Sequence, residues 1–135
     1  MPHITKVFKF SAAHQYGNPR WSEEKNREVF DKDVQIHGHD YTLEVTVGGK
    51  INPDTGFVVD LRELKRIVNE KVVVPMDHSV IEKDLPWFRG KQPSTENMVI
   101  WIWEQIEPEL GNVALQRVRL RETSTIYSDY FGPEG

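Results

Sequence analysis

His14, His37 and His39 are the residues of this 135-residue sequence whose types and spacing most clearly allow chemistry. His37-Gly38-His39 sets two imidazoles at i and i+2. On a strand those positions share a face, so both rings project together. Gly38 between them leaves room on the opposite side. His14 ends an earlier stretch in which Phe8, Phe10, Ala12 and His14 alternate with Lys9, Ser11 and Ala13. If the two strands are neighbours, three imidazoles converge. Three neutral histidine nitrogens suit zinc and leave a fourth tetrahedral position open, as in a catalytic rather than a structural centre. The chain has no cysteine, which removes disulfides, thiolate ligands and thiol nucleophiles together. Any metal must therefore use His, Asp or Glu. A lone histidine on an apolar face is more often a hydrogen-bonded core residue, and His3, near the terminus, is expected to be inert.

Other groups could act around such a centre. Glu122 shares a strand face with Val118 and Leu120, and a carboxylate on an apolar face needs a partner. That partner is either a ligand or an arginine. Asp77-His78 is a candidate acid-base pair, since a carboxylate can orient a histidine that exchanges protons near neutral pH. The same dipeptide also reads as a turn-forming Asp beside a solvated His.

The elements that must position these residues follow from periodicity. Alternation predicts strands over 7–14 and 37–47, with His37, His39, Tyr41, Leu43, Val45 and Val47 on one face. A dense turn signal at 52–56 precedes an expected short return strand at 57–59. Asp60, with Glu63 three residues on, forms a capping-box-like start to a helix carrying Leu61, Leu64, Ile67, Val68 and Val72. Ser94 or Thr95 caps a second helix that runs to about residue 107. Strands over 113–123 and 125–130 close the chain. Residues 15–35 read as a long polar loop, a type that is commonly functional or mobile. The expectation is an α+β fold, an antiparallel sheet with two helices on one face. Open sheet edges are commonly covered by assembly of subunits.

Composition bounds the rest. With 38% hydrophobic and 28% charged residues, the chain reads as one soluble domain spanning 1–135. A formal charge of -4 argues against nucleic acid as the main partner. No apolar run approaches the roughly 20 residues a membrane span needs. No secretory signal pattern opens the sequence, so a cytoplasmic location is expected.

Seven segments occur together in order: Phe8-x-Phe10-x-Ala12-Ala13-His14, Asn26-Arg27-Glu28-Val29-Phe30, His37-Gly38-His39-Asp40-Tyr41, Gly56-Phe57-Val58-Val59-Asp60-Leu61-x-x-Leu64-Lys65, Asp77-His78, Pro93-Ser94-Thr95-Glu96-Asn97 and Arg121-Glu122-Thr123. In this set the chain resembles the 6-pyruvoyl-tetrahydropterin synthase family. The resemblance implies the tunnelling fold (T-fold), in which trimers close their sheets into a barrel and two trimers stack into a homo-hexamer. It implies active sites at subunit interfaces, Zn2+ on His14, His37 and His39, and a small-molecule pterin substrate such as 7,8-dihydroneopterin triphosphate. Glu122 matches the family's pterin anchor and Asp77-His78 its acid-base pair. Thr95 is either a further pterin contact or a helix cap.

One departure bears on the reaction. Many relatives carry a catalytic cysteine four or six positions before the first His of His-Gly-His, and here the four-residue position is Asp33. Other relatives carry Glu one position nearer, where this chain has Val34. Asp33 is thus either a catalytic carboxylate in a remodelled loop or a solvated loop residue. The implied activity is a lyase giving 6-pyruvoyl-tetrahydropterin, 6-carboxy-tetrahydropterin or 6-hydroxymethyl-dihydropterin. The alternative is a zinc- and pterin-binding protein that has lost catalysis.

Overall fold

The computed structural model describes residues 1–135. Four antiparallel strands, β1 (His3–His14), β2 (His37–Gly48), β3 (Ala114–Arg121) and β4 (Tyr127–Tyr130), form one sheet in the order β1-β2-β3-β4. Helix α1 (Glu23–Phe30) joins β1 to β2. Between β2 and β3 come α2 (Leu61–Val68), a π turn (Asn69–Val73), α3 (Val74–Met76), α4 (Ile81–Asp84) and α5 (Thr95–Ile106). No helix is long and apolar enough to cross a membrane.

The two long helical segments cover one sheet face, as the amphipathic spacing requires. Leu64, Ile67, Val68 and Val72 from the first, and Met98, Val99, Trp101, Ile102 and Ile106 from α5, are buried against Phe8, Phe10, Tyr41, Leu43, Val45, Val118 and Leu120. Leu61 of the expected apolar stripe is instead 40% exposed. Asp60 caps α2 by accepting from Arg62 N at 2.9 Å. Glu63 does not complete a capping box; it pairs with Arg66 on the next turn. Ser94, not Thr95, caps α5, accepting from Asn97 N at 3.2 Å.

Three expectations need correction. Residues 57–59 form no strand. Both edges of β2 are already taken by β1 and β3, so a returning segment has no ladder to join; Asn52 N donates to Phe57 O and closes a loop instead. The 15–35 stretch is not all loop, because Ser22 caps α1 through Lys25 N and a 3-10 turn (Asp31–Val34) follows. No residue of α1 is buried, so it lacks the apolar periodicity that reveals a helix. β1 begins at His3, paired with Gly48, four residues before the strand start expected at Val7.

Leu43 lies fully buried at the centre of the sheet. Leu43→Ala is expected to lower stability by about 2–5 kcal/mol. A fall in the urea midpoint with an unchanged m-value would show it.

Candidate metal centre and active site

The β1–β2 register builds the site. His14 lies directly opposite His37, and Ala12 opposite His39, so the three imidazoles share the face that also carries Tyr41 and Phe10. Gly38 falls opposite Ala13, where an added Cβ would stand 3.2 Å from Ala12 O. The glycine thus relieves a tight contact between the two backbones rather than leaving open room. Thr42 pairs with Arg121, so the next residue of that chain, Glu122, turns toward the same buried face as Leu120. Its N–H donates to Ile126 O at 3.0 Å, which extends the β3–β4 hairpin to the site.

Neighbouring carbonyls orient two of the rings. His14 Nδ1 lies 3.1 Å from Pro93 O, and His37 Nδ1 lies 2.9 Å from Gln35 O. A carbonyl only accepts, which assigns the ring proton to Nδ1 in both cases and leaves each Nε2 as a lone pair. Those two Nε2 atoms stand 3.0 Å apart. Lone pairs so close repel unless a cation lies between them. His39 Nε2 is buried with no hydrogen-bond partner, and one nitrogen from each ring lies within 4.8 Å of the others. The cluster thus fits a metal ion, and second-sphere carbonyls of this kind are what hold ligating imidazoles in place.

Carboxylates flank the cluster. Glu122 Oε1 lies 3.1 Å from His39 Nε2 and 3.5 Å from His14 Nε2. It has no arginine partner, because Arg117, Arg119 and Arg121 point to the other face, where Arg117 meets Glu44 and Arg119 meets Asp129. Asp33 Oδ1 reaches to 3.5 Å from His37 Nε2. Its turn is tied to the residues just after His14, since Tyr16 N donates to Asp33 O and Gln15 Nε2 to Val34 O.

Asp77 and His78 are not brought to the imidazoles. They lie along the outer edge of β1, where Ser11 N donates to Asp77 Oδ1 and His78 Nδ1 meets Asp77 Oδ2 at 2.9 Å. Those two contacts, Ser11 first, hold the Asp77 carboxyl below its ordinary range. His78 borders a depression along the β1 edge that Ser11, Gly38, His39 and Asp40 also line. Thr95 is buried, its hydroxyl 2.7 Å from Ser128 Oγ and 3.1 Å from Glu96 Oε1, and it does not touch Glu122.

Two aromatic neighbours were not among the expected site residues. Tyr41 OH lies 3.2 Å from His14 Nδ1, and the Tyr16 ring meets the His14 ring edge-on at 5.2 Å. Burial, with the Glu122 charge second, pushes both phenols well above their ordinary range. Tyr41 was legible as a core residue two positions beyond His39; Tyr16 in a polar loop gave no signal.

The model of the family described as 6-pyruvoyl tetrahydropterin synthase matches residues 3–133. The chain belongs to this family. A 6-pyruvoyl tetrahydrobiopterin synthase of Poecilia reticulata is 40% identical over 123 residues, 90% of this chain and 84% of that protein. A dihydroneopterin monophosphate aldolase of Pyrococcus furiosus is 36% identical over 114 residues, 84% of this chain and 82% of that protein. The structure of Caenorhabditis elegans 6-pyruvoyl tetrahydropterin synthase superposes with a TM-score of 0.89 at 32% identity, covering 98% of this chain and 97% of that one. The four-stranded sheet and its helices are accordingly those of the tunnelling fold that this synthase family shares.

Burial, followed by the charges of His37 and His39, lowers the His14 pKa from 6.5 to about 4. A lowered histidine pKa means the unfolded chain binds the proton more readily. In metal-stripped protein this contribution is complete above pH 6.5 and is lost as pH falls to about 4, a change of about 3 kcal/mol. Urea unfolding in chelator at pH 7 and pH 4.5 checks it, with His14→Gln expected to lose much of the difference.

Proposed function

We propose that this chain is a zinc-dependent pterin lyase acting on 7,8-dihydroneopterin triphosphate or a close phosphorylated relative. The observation that carries the reading is the convergence of His14, His37 and His39 beside the unpaired carboxylate of Glu122. A zinc ion held by the three imidazoles supplies Lewis acidity toward the hydroxyls of the substrate's three-carbon side chain. Glu122 accepts the adjacent N–H donors of the pterin ring, as a carboxylate accepts a guanidinium, and so fixes which carbon faces the cluster. Tyr16 and Tyr41 wall the site with aromatic surface and limit water.

Asp33 takes the place of the absent cysteine as base. Its carboxylate stands beside His37, within reach of a group bound at the imidazoles. A carboxylate is a weaker base than a thiolate, and so suits a hydroxyl whose acidity a bound metal would raise better than an unactivated carbon-bound proton. This supports a second reading of the reaction, a retro-aldol cleavage: Asp33 takes the 2′-hydroxyl proton, C2′ becomes the carbonyl of a departing phosphorylated glycolaldehyde as the C1′–C2′ bond breaks, and the electron pair left on C1′ passes into the ring imine and is protonated to give 6-hydroxymethyl-dihydropterin. The aldolase name carried by the Pyrococcus furiosus relative points the same way.

His78 completes the proton transfers from a second copy of the chain. Its ring is 85% exposed and paired only to Asp77, on the sheet side away from its own imidazoles. A homo-hexamer of two stacked trimers supplies that partner; residues 77–80 cover the β1 edge at Ser11 and Ala13, while β4 and the earlier part of β1 remain as sheet edges that can join other sheets. Thr95 has no place in this scheme beyond holding α5 to β4.

Product analysis after incubating zinc-loaded protein with dihydroneopterin mono- and triphosphate tests the reading. Turnover is expected, with Asp33→Ala lowering kcat by about 10²–10⁴-fold. Pterin binding without turnover would leave a binding protein instead. Separately, inactive His14→Ala and His78→Ala chains are expected to regain activity when assembled together, because mixed assemblies contain sites with both residues intact. No recovery in mixed assemblies would place His78 outside the reaction.

A further inference from the structure

The distances around Glu122 describe more than a carboxylate near a histidine. His14 Nε2 to His37 Nε2 is 3.0 Å, Glu122 Oε1 to His39 Nε2 is 3.1 Å, and Glu122 Oε1 to His14 Nε2 is 3.5 Å. Four donors held tetrahedrally at 2.0–2.1 Å from a zinc-sized ion stand about 3.3 Å from one another. The three separations scatter about that edge length. Carboxylate oxygen is also a regular zinc donor beside imidazole nitrogen.

Hydrogen bonding accounts for these contacts less well. His14 Nε2 has no proton to give, because Nδ1 carries it toward Pro93 O. His39 Nε2 stays without a hydrogen-bond partner even though the Glu122 oxygen is 3.1 Å away, so the two atoms are not aimed along a hydrogen-bond line. Donors that share a metal do not lie on one another's hydrogen-bond lines, which accounts for a partnerless His39 Nε2 so close to a carboxylate oxygen. Asp33 is the competing carboxylate. It approaches one imidazole only and its side chain is 58% exposed, whereas Glu122 approaches two and is 16% exposed.

We propose that Glu122 is the fourth ligand of the metal in the substrate-free protein, closing the position that three histidines alone would leave open. The consequence for substrate entry rests on the reading of Glu122 as the ring anchor given above. A carboxylate whose oxygen fills the fourth position cannot accept the paired ring N–H donors with both oxygens. Capture of the ring therefore withdraws Glu122 from the metal and frees a position for a side-chain hydroxyl. Recognition of the pterin and opening of the centre are one movement, and a hydroxylated compound without the ring leaves the centre closed.

Cobalt(II)-loaded protein reports this through its visible absorption, independently of turnover. Glu122→Gln, which keeps the side-chain size, and Glu122→Ala are each expected to shift the ligand-field bands and to weaken cobalt affinity tenfold or more. Asp33→Ala is expected to leave both unchanged. Adding 7,8-dihydroneopterin to the parent protein shifts the bands, while glycerol at the same concentration does not. Far-ultraviolet circular dichroism confirms that the variants are folded. Parent-like bands in both Glu122 variants, or a shift produced by Asp33→Ala instead, would overturn the ligand assignment. Pterin binding by fluorescence with no change in the parent bands would overturn the exchange while leaving the ligand in place. A parent protein that binds no cobalt would remove the metal centre itself, a failure distinct from either.

Discussion

The antiparallel register between β1 and β2 is the constraint on which the site depends. It sets His14 across from His37 and Ala12 across from His39, so one buried face carries all three rings. A slip of one residue would turn one strand over relative to the other and put His14 on the face opposite to His37 and His39. Packing beneath the site resists that slip. Phe10 stacks on Tyr41 with centroids 5.2 Å apart, and Phe8, Leu43 and Val45 continue the same apolar surface. Gly38 lets the two backbones approach at the one point where a methyl group would press on Ala12 O. The hydrophobic core and the candidate metal centre are thus two ends of one strand pair.

Burial then decides the electrostatics. His14 is fully buried, and desolvation keeps its ring neutral, the form a ligand needs. Its orientation comes from Pro93, at the start of the segment that leads into α5, so a loop 79 residues away in sequence sets which nitrogen faces the centre. The residues after His14 extend this control to the Asp33 turn. Gln15 N donates to Glu82 Oε1, Gln15 Nε2 to Val34 O and Tyr16 N to Asp33 O. Strand β1 therefore positions both a ring of the cluster and the carboxylate beside it.

The two sheet faces divide the labour. The inward face holds the core, the imidazoles and Glu122. The outward face pairs Arg119 with Asp129 and Arg117 with Glu44, which satisfies charges that the core could not accept. Asp77 and His78 belong to the edge and outward side, anchored through Ser11. That separation is the structural reason for a shared site between copies in the scheme proposed here.

Much of this was legible from residue order. Period-two alternation marks β1, β2 and β3 and sorts His37, His39 and Glu122 onto inward faces, because side chains on a strand must alternate. Helical spacing marks α2 and α5, whose apolar stripes need the sheet. Helix α1 was hidden because it buries nothing and so has no stripe to read. The strand expected at 57–59 failed because local propensity cannot know that both edges of β2 are occupied. Residue order alone states which groups are present: the imidazoles of His14, His37, His39 and His78, no thiol, and carboxylates at Asp33, Glu122 and Asp77. Only the tertiary structure decided which of them meet. Strand pairing and carbonyls distant in sequence brought Glu122 and Asp33 to the imidazoles and left Asp77 and His78 on the far side, since which groups approach is fixed by register and packing rather than by separation along the chain.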